Sequence, residues 1–132
     1  MIAVDTNVVV RLLTQDDEVQ YEKSLALFSA NDIFIPDTVI LEPDWVLRFA
    51  YNFAPREICS ALRNLFGLAN VQLSNGVLIA QVLQWHEQGL DLADAFHLAQ
   101  SQNYDAIYTF DRKFVQKAVG LSACKVCLPQ SI

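Results

Sequence analysis

Short apolar segments alternate with segments of helical periodicity along the whole chain. The apolar segments are bounded by polar residues, which is typical of short buried strands. The first, IAVDTN, runs into an aspartate, a threonine and an asparagine where the predicted strand ends. Strands are predicted at 2–7, 32–36, 71–74, 105–110 and 124–128.

The segments between these strands carry helical patterns. Tyr21, Leu25 and Phe28, for example, recur at the spacing of one helix face. Asp37 is placed to cap one helix, Pro55 to open the next and Gly89 to end another. Helices are predicted at 8–14, 17–29, 37–51, 55–66, 76–88, 91–102 and 111–119. This alternation indicates an α/β fold, a three-layer α/β/α domain with a parallel sheet of about five short strands.

The length and composition indicate one compact domain. A chain of 132 residues can bury a single core but is short for two domains. Hydrophobic residues make up 53% and charged residues 18%, which favours a globule over a disordered chain. We find no linker or internal repeat, and we predict a single domain over residues 1–132.

The charge balance bears on the class of function. The net charge is −6, and the basic footprint expected of a plain nucleic-acid-binding module is missing. An acidic chain remains compatible with a metal enzyme, because clustered carboxylates are the ligands of hard divalent cations.

The first residues do not resemble a targeting signal. The opening MIAVDTNVVV lacks a basic region, and Asp5 interrupts its apolar run. No apolar run approaches the roughly 18 residues that span a bilayer. We therefore expect a cytoplasmic protein without a membrane partner.

The three cysteines predict neither a disulfide framework nor a zinc site. Their number is odd, and Cys124 and Cys127 have no second pair of Cys or His residues to complete a metal site. They also fall on opposite sides of a predicted strand. Buried structural thiols are the expected role.

Two aspartates follow predicted strands. Asp5 ends the first strand and Asp111 ends the fourth, at the edge where open α/β sheets bind ligands. Thr109, two residues before Asp111, could hydrogen-bond a carboxylate or hold a water. The alternative is that both aspartates only cap the helices that follow.

A glutamate lies within the predicted helix 37–51. Glu42 falls in line with the apolar residues Val39, Val46 and Phe49. Burying a carboxylate there is costly unless something pairs with it. The alternative is that Glu42 sits at the edge of the stripe and reaches water, and Pro43 complicates its direction.

Two further aspartates share one side of the predicted helix 91–102. Asp91 and Asp94 are three residues apart, opposite a core face of Leu92, Ala95, Phe96 and Ala99. Asp91 stands where an N-cap belongs, so capping is its alternative role. His97 is expected to be structural.

Several acids at one sheet edge would be unstable without protons or a cation. Two carboxylates about 4 Å apart repel by roughly 4 kcal/mol at an effective dielectric constant near 20. Oxygen ligands without Cys or His favour Mg²⁺ or Mn²⁺. Such a site suits phosphodiester hydrolysis by an activated water.

Four segments carry a family resemblance. DTN at 5–7, Glu42 within ILEPDWVLRFAY, DLADAFHLA at 91–99 and TFDRKF at 109–114 resemble the PIN-domain family, and within it the VapC-type toxins of toxin–antitoxin modules. The resemblance covers essentially the whole chain. It implies a Mg²⁺- or Mn²⁺-dependent endoribonuclease with a small parallel sheet, commonly a homodimer and held inactive by a cognate antitoxin.

The resemblance also assigns roles to residues. It implies that Asp5, Glu42, Asp94 and Asp111 are the catalytic and metal-binding acids, with Asp5 and Asp94 the firmest ligands. The accessory residues that it implies are Asp91, Thr6, Asn7 and Thr109. The chain departs from the expected pattern at Pro43 and Asp44, where residues that continue a helix are expected.

Basic and aromatic residues suggest contacts with partners. Four basic residues near the predicted site could meet RNA phosphates, or could be solvated surface charge: Arg11, Arg48, Arg112 and Lys113. Five aromatic residues could receive an antitoxin helix or a second subunit, or could be ordinary core: Trp45, Phe49, Tyr51, Phe53 and Phe66.

Other functions were weighed against a nuclease. A receiver-type phosphoacceptor domain expects adjacent acids after the first strand and a Lys after the fifth, which this chain lacks. A dinucleotide-binding domain is excluded because there is no G-x-G-x-x-G. The stronger alternative is a PIN-like binding or regulatory domain with little nuclease activity.

Overall fold

The computed structural model describes residues 1–130 and confirms the predicted α/β class. Within those residues the chain forms five strands of two or three residues and seven helices, and all the strand pairs are parallel. None of these helices is long and apolar enough to cross a membrane. The elements are β1 (Ile2–Ala3), α1 (Thr6–Thr14), α2 (Glu18–Ala30), β2 (Ile33–Phe34), α3 (Asp37–Tyr51), α4 (Pro55–Phe66), β3 (Val71–Gln72), α5 (Gly76–Glu87), α6 (Leu92–Gln100), β4 (Ala106–Tyr108), α7 (Arg112–Lys117) and β5 (Lys125–Cys127).

The chain divides into two compact units. The first is Met1–Gly76 and the second begins at Val77. That the two form the single domain 1–132 stays a prediction, and residues 131–132 lie outside the described part of the chain.

The first unit is built on a three-stranded sheet in the order β1-β2-β3. Ile33 of β2 lies opposite Ile2 of β1 on one side and Val71 of β3 on the other. Ile33 is fully buried at the centre of this sheet. The sequence predicted one sheet of about five strands, whereas β4 and β5 pair with each other in a sheet of their own.

A polar network ties α1 to the end of α3 in the first unit. The carboxylate of Asp16 accepts hydrogen bonds from Tyr51 Oη at 2.7 Å, Thr14 Oγ1 at 2.9 Å and Arg11 Nη1 at 3.1 Å. The hydrogen bond from Tyr51 is the main cause that lowers the pKa of Asp16, followed by the hydrogen bond from Thr14. The network fixes the loop after α1 against the last turn of α3.

The buried face of α2 differs from the predicted one. Ser24 and Phe28 are buried, whereas Leu25, predicted on the core face with Tyr21 and Phe28, is 42% exposed. The helix packs against α1, which selects the face that includes the small Ser24.

Helix α3 has the predicted bounds but a different start. Pro36 occupies the N-cap position without a side-chain cap, so the expectation that Asp37 caps this helix is wrong. Asp37 lies in the first turn, where a negative charge favours the helix dipole. The helix continues through Pro43, whose ring is buried in the core.

In the second unit, α7 packs against β5 of the β4–β5 pair. All four residues predicted as the core face of α6 are buried: Leu92, Ala95, Phe96 and Ala99. The cysteines are free thiols, with Cys59 and Cys124 buried and Cys127 half-buried. Burial of two of the three agrees with the structural role expected for them.

Candidate metal centre

Asp5 lies at the junction between β1 and α1 and caps the helix. Its Oδ1 accepts a hydrogen bond from the backbone N–H of Val8 at 3.3 Å. The side chain is exposed. Asp5 therefore caps α1, which is the alternative role that the sequence allowed. Capping occupies one carboxylate oxygen and leaves the second able to bind a cation.

Glu42 lies close to the start of α1 although 36 positions separate it from Thr6. Thr6 Oγ1 donates a hydrogen bond of 2.6 Å to Glu42 Oε2. Glu42 is exposed, so the alternative that it reaches water at the edge of the apolar stripe is confirmed. A short hydrogen bond to a carboxylate is among the stronger ones and fixes its direction. The first unit thus sets the carboxylate of Glu42 beside the residue that follows Asp5.

Asn7 faces a different surface. It lines a cavity of about 340 Å³ between α1 and α2, together with Arg11, Gln20 and Lys23. Arg11, proposed from the sequence as an RNA contact, is held by Asp16 and by Gln20, whose Oε1 accepts from Arg11 Nε at 2.7 Å. The accessory role of Asn7 stays a prediction.

In the second unit, three predicted site acids surround one cavity. Asp91, Asp94 and Asp111 line a space of about 370 Å³ with Lys113 and Lys117. Lys117 was missed by the sequence analysis. The only sign of Lys117 in the sequence was its position six residues after Asp111 in the predicted helix 111–119. That position does not distinguish a residue of the site from ordinary surface charge.

A tight turn sets Asp91 at the mouth of this cavity. Gly89 adopts φ of 117°, which L side chains rarely adopt, and ends the turn after α5. The N–H of Leu90 then donates to the carbonyl of Trp85 at 3.0 Å. Asp91 follows at once and caps α6, accepting from the N–H of Asp94 at 3.3 Å. Capping by Asp91, weighed from the sequence, is confirmed.

Asp111 is also a helix cap. Its Oδ1 accepts from the N–H of Lys113 at 2.9 Å and of Phe114 at 3.3 Å. Thr109 Oγ1 accepts from the N–H of Asp111 at 3.0 Å. Thr109 therefore holds the backbone of Asp111 and does not bond its carboxylate.

The electrostatics of the cavity centre on Asp94. Burial raises the pKa of Asp94, and the negative charges of Asp91 and Asp111 raise it further, against the opposing effects of His97 and Lys117. His97 is exposed, and the structural role expected for it stays a prediction. Burial is therefore the main reason that Asp94 resists ionisation, and the two neighbouring carboxylates add to that effect.

The donor chemistry fits a hard divalent cation. The cavity offers carboxylate oxygens, and a cation would favour the ionised form of Asp94 against both its burial and the repulsion from Asp91 and Asp111. Within residues 1–130, however, no group of three or more His, Cys, Asp or Glu side chains is close enough to hold an ion by itself. Asp91, Asp94 and Asp111 therefore line one cavity without forming a complete coordination shell.

Comparison with known proteins supplies the family. No curated protein matches the chain. The PIN domain family matches residues 2–120, which include every predicted site residue. PIN domains are generally metal-dependent nucleases. Because the match covers most of the chain, the protein belongs to the PIN domain family.

Proposed function

We propose that this PIN domain is a divalent-metal-dependent endoribonuclease that hydrolyses RNA phosphodiester bonds. The observation that carries the proposal is the cavity of Asp91, Asp94 and Asp111, in which burial and neighbouring carboxylates raise the pKa of Asp94. A partly buried carboxylate among like charges is stabilised by a proton or by a cation, and a metal nuclease uses the cation.

The proposed catalytic and metal-binding acids are Asp5, Glu42, Asp94 and Asp111. The cavity supports Asp94 and Asp111, while the sequence resemblance supports Asp5 and Glu42. Mg²⁺ or Mn²⁺ suits an all-oxygen ligand set. When bound, such an ion lowers the pKa of a water to supply the nucleophile and neutralises charge on the phosphate.

The protein's own residues would position the reaction. Thr6 orients the carboxylate of Glu42, and Thr109 holds the backbone of Asp111. Lys113 and Lys117 line the same cavity as the acids and can bind substrate phosphate oxygens. Asp91 holds the first turn of α6 and so keeps Asp94 in place.

Cleavage of RNA with and without metal tests the proposal. We expect cleavage of single-stranded RNA with Mg²⁺ or Mn²⁺ and none in EDTA. Asp94→Asn and Asp111→Asn are expected to lower the rate by at least about 100-fold. Asp105→Asn, at an exposed carboxyl outside this cavity, is the matched control and should retain the rate within about twofold. Equal cleavage by Asp94→Asn and the wild type would overturn the assignment.

We further propose that the protein is the toxin component of a type II toxin–antitoxin system of the VapC type. The sequence resemblance supports this role, and with it a cytoplasmic location, a homodimer and a cognate antitoxin. Induced expression should arrest growth, co-expression of a short adjacent gene product should restore growth, and Asp94→Asn should be harmless. Growth arrest by Asp94→Asn equal to that by the wild type would contradict a nuclease toxin.

A PIN-like binding or regulatory domain with little nuclease activity is the second candidate. It is favoured by the lack, within residues 1–130, of a preformed group of three metal-binding side chains and by the capping roles of Asp5, Asp91 and Asp111. This candidate predicts no RNA cleavage under any divalent metal and unchanged partner binding in Asp94→Asn.

A further inference from the structure

Two aromatic side chains on α3 are exposed side by side. Trp45 is 67% exposed and Phe49 is 62% exposed, and their ring centroids are 5.1 Å apart with an angle of 46° between the planes. We call Trp45 and Phe49 the aromatic platform. The sequence leaves open whether these two residues are core or a surface for a partner, and both are exposed.

A positive charge adjoins the aromatic platform. The guanidinium carbon of Arg48 lies 5.5 Å from the centroid of the Phe49 ring, within range of a cation–π contact. Arg48 Nη1 also lies 3.7 Å from the carboxylate of the buried Asp44, an ion pair that directs the arginine along the helix. The platform thus combines open aromatic faces with an arginine at its edge.

The aromatic platform shares its helix face with Glu42. At 3.6 residues per turn, Glu42, Trp45 and Phe49 fall within a sector of about 60° around α3. The rise of about 1.5 Å per residue sets Trp45 about 4.5 Å and Phe49 about 10 Å along the axis from Glu42. A strand of nucleic acid at Glu42 could therefore lay its next bases on this platform.

The size of the platform argues for a small planar ligand. A fully covered aromatic side chain buries about 150–250 Å², so the exposed parts of the two rings amount to about 250 Å² in total. A stable protein interface buries about 800 Å² on each partner. Two nucleobases match the platform better than a folded protein does.

The acidic charge of the chain points the same way. With 15 acidic and 9 basic residues, the protein gains little affinity for RNA from phosphate neutralisation. Base stacking on aromatic rings supplies affinity without net positive charge and tolerates any base sequence. An acidic nuclease needs such a source of affinity more than a basic one does.

We propose that the aromatic platform of Trp45 and Phe49 binds nucleobases of single-stranded RNA by stacking, next to Glu42. The inference rests on the proposed ribonuclease function for the identity of the strand. The bases would lie on the outer ring faces, because a base between the rings would need two separations of about 3.5 Å, more than the 5.1 Å observed.

Tryptophan fluorescence can test the proposal directly. The chain has two tryptophans, and Trp85 is buried at 4% exposure, so quenching by an added ligand reports on Trp45. The probes are ten-residue oligomers of adenylate, of uridylate and of ribose phosphate without bases, all in EDTA. We expect both base-containing oligomers to quench the fluorescence and the abasic oligomer not to. Equal quenching by the abasic oligomer would overturn the proposal.

Variants separate stacking from a general effect on the surface. Because both variants lack the reporting tryptophan, their binding is measured by fluorescence anisotropy of an end-labelled adenylate oligomer. Trp45→Ala should weaken binding of this oligomer about tenfold, whereas Trp45→Phe should keep it within about threefold because it retains an aromatic face. Val77→Ala, at an apolar side chain that is 84% exposed outside α3, is the matched control and should change nothing. The proposal fails if Trp45→Ala and Val77→Ala bind the adenylate oligomer equally well. It also fails if raising the protein concentration alone quenches Trp45 fluorescence while the molecular mass in solution doubles, since a second copy of the chain would then cover the platform.

Cleavage assays on the same proteins distinguish the two proposals. Metal-dependent cleavage without quenching of Trp45 by the base-containing oligomers would refute the aromatic platform and leave the ribonuclease standing. Quenching by these oligomers without cleavage under any divalent metal would refute the ribonuclease and support base binding by a non-enzymatic PIN domain.

Discussion

Thr6 donates its hydroxyl proton to the carboxylate of Glu42 across 36 positions of the chain, at an oxygen–oxygen distance of 2.6 Å. Thr6→Val removes the donor while keeping the shape, so Glu42 should lose its fixed direction. We expect metal-dependent RNA cleavage to fall about tenfold, measured as initial rate. Thr6→Ser keeps the hydroxyl and should stay within about threefold of the wild type. Equal rates for the Val and Ser variants would mean that this hydrogen bond does not position Glu42 for catalysis.

Asp94 should make the metal-free protein less stable as the pH rises. Its pKa is raised in the folded state, so the folded protein binds a proton here more tightly than the unfolded chain does. The stabilisation from that proton is complete below the ordinary pKa of 3.8 and is lost as the pH rises through the raised pKa. In EDTA, the melting temperature of Asp94→Asn relative to the wild type should therefore increase from pH 4 to pH 7.

Added divalent metal should stabilise the wild type at pH 7, where the ionised Asp94 destabilises the metal-free protein. Mg²⁺ or Mn²⁺ at pH 7 is expected to raise the melting temperature of the wild type, because an ion that binds only the folded state stabilises it. Asp94→Asn should respond much less, and Asp105→Asn should respond like the wild type. A lower melting temperature for Asp94→Asn than for the wild type at pH 7 in EDTA would show that Asp94 is not under charge repulsion.

The hydrogen bond between Tyr51 and Asp16 should contribute stability at neutral pH. It is the largest cause of the lowered pKa of Asp16, so its contribution is present above the ordinary pKa of 3.8 and is lost as the pH falls through the lowered value. Tyr51→Phe should lower the melting temperature slightly at pH 7, since the network is exposed to solvent. The difference should shrink as the pH falls below 3.8 and through the lowered pKa of Asp16. A difference of the same size at neutral and at low pH would assign the effect to packing of the ring.

The stability of the first unit should depend strongly on the buried side chains of α3. Leu47 is fully buried, and Leu47→Ala is expected to lower the free energy of unfolding by about 2–5 kcal/mol in chemical denaturation. Val19→Ala, at a side chain that is 63% exposed in the same unit, should change it by less than about 0.5 kcal/mol. Similar values for the two variants would contradict the burial of Leu47.

The turn that presents Asp91 should require a glycine. Gly89 has φ of 117°, and Gly89→Ala is expected to cost about 1–3 kcal/mol of stability although nothing lies within 4 Å of the added Cβ. Gly76→Ala meets equally open space without a positive φ, and should be neutral or stabilising by up to about 1 kcal/mol. Thermal unfolding measures both. If Gly89→Ala were as stable as the wild type, the turn would have to adopt another conformation.

Local signals account for the elements that the sequence predicted well. Helix α4 runs from Pro55 to Phe66 as predicted, because a proline at the first helical position acts over a few residues. Asp91 and Asp111 are the N-caps of α6 and α7, and each accepts a hydrogen bond from a backbone N–H of the first turn that follows it. Capping is a contact between near neighbours, so a single sequence contains what is needed to predict it.

Burial was harder to predict because it depends on partners. Leu25 and Phe49 lie in apolar patterns, yet both are exposed, whereas Ser24 and Asp44 are buried. Periodicity shows that a helix has an apolar face but does not show how much of that face another element covers. The packing of α1 against α2 and α3 decides this, and it involves residues far apart in the chain.

The sequence by itself determined the order of strands and helices, the helix caps at Asp5, Asp91 and Asp111, and the family, since these depend on neighbouring residues and on spaced motifs. Only the tertiary structure decided that Thr6 holds Glu42, that Asp91 and Asp111 raise the pKa of Asp94, and that Trp45 and Phe49 stay uncovered. Each of these is set by distances between side chains on different elements, or by what packs against a helix face, and no local pattern specifies such distances.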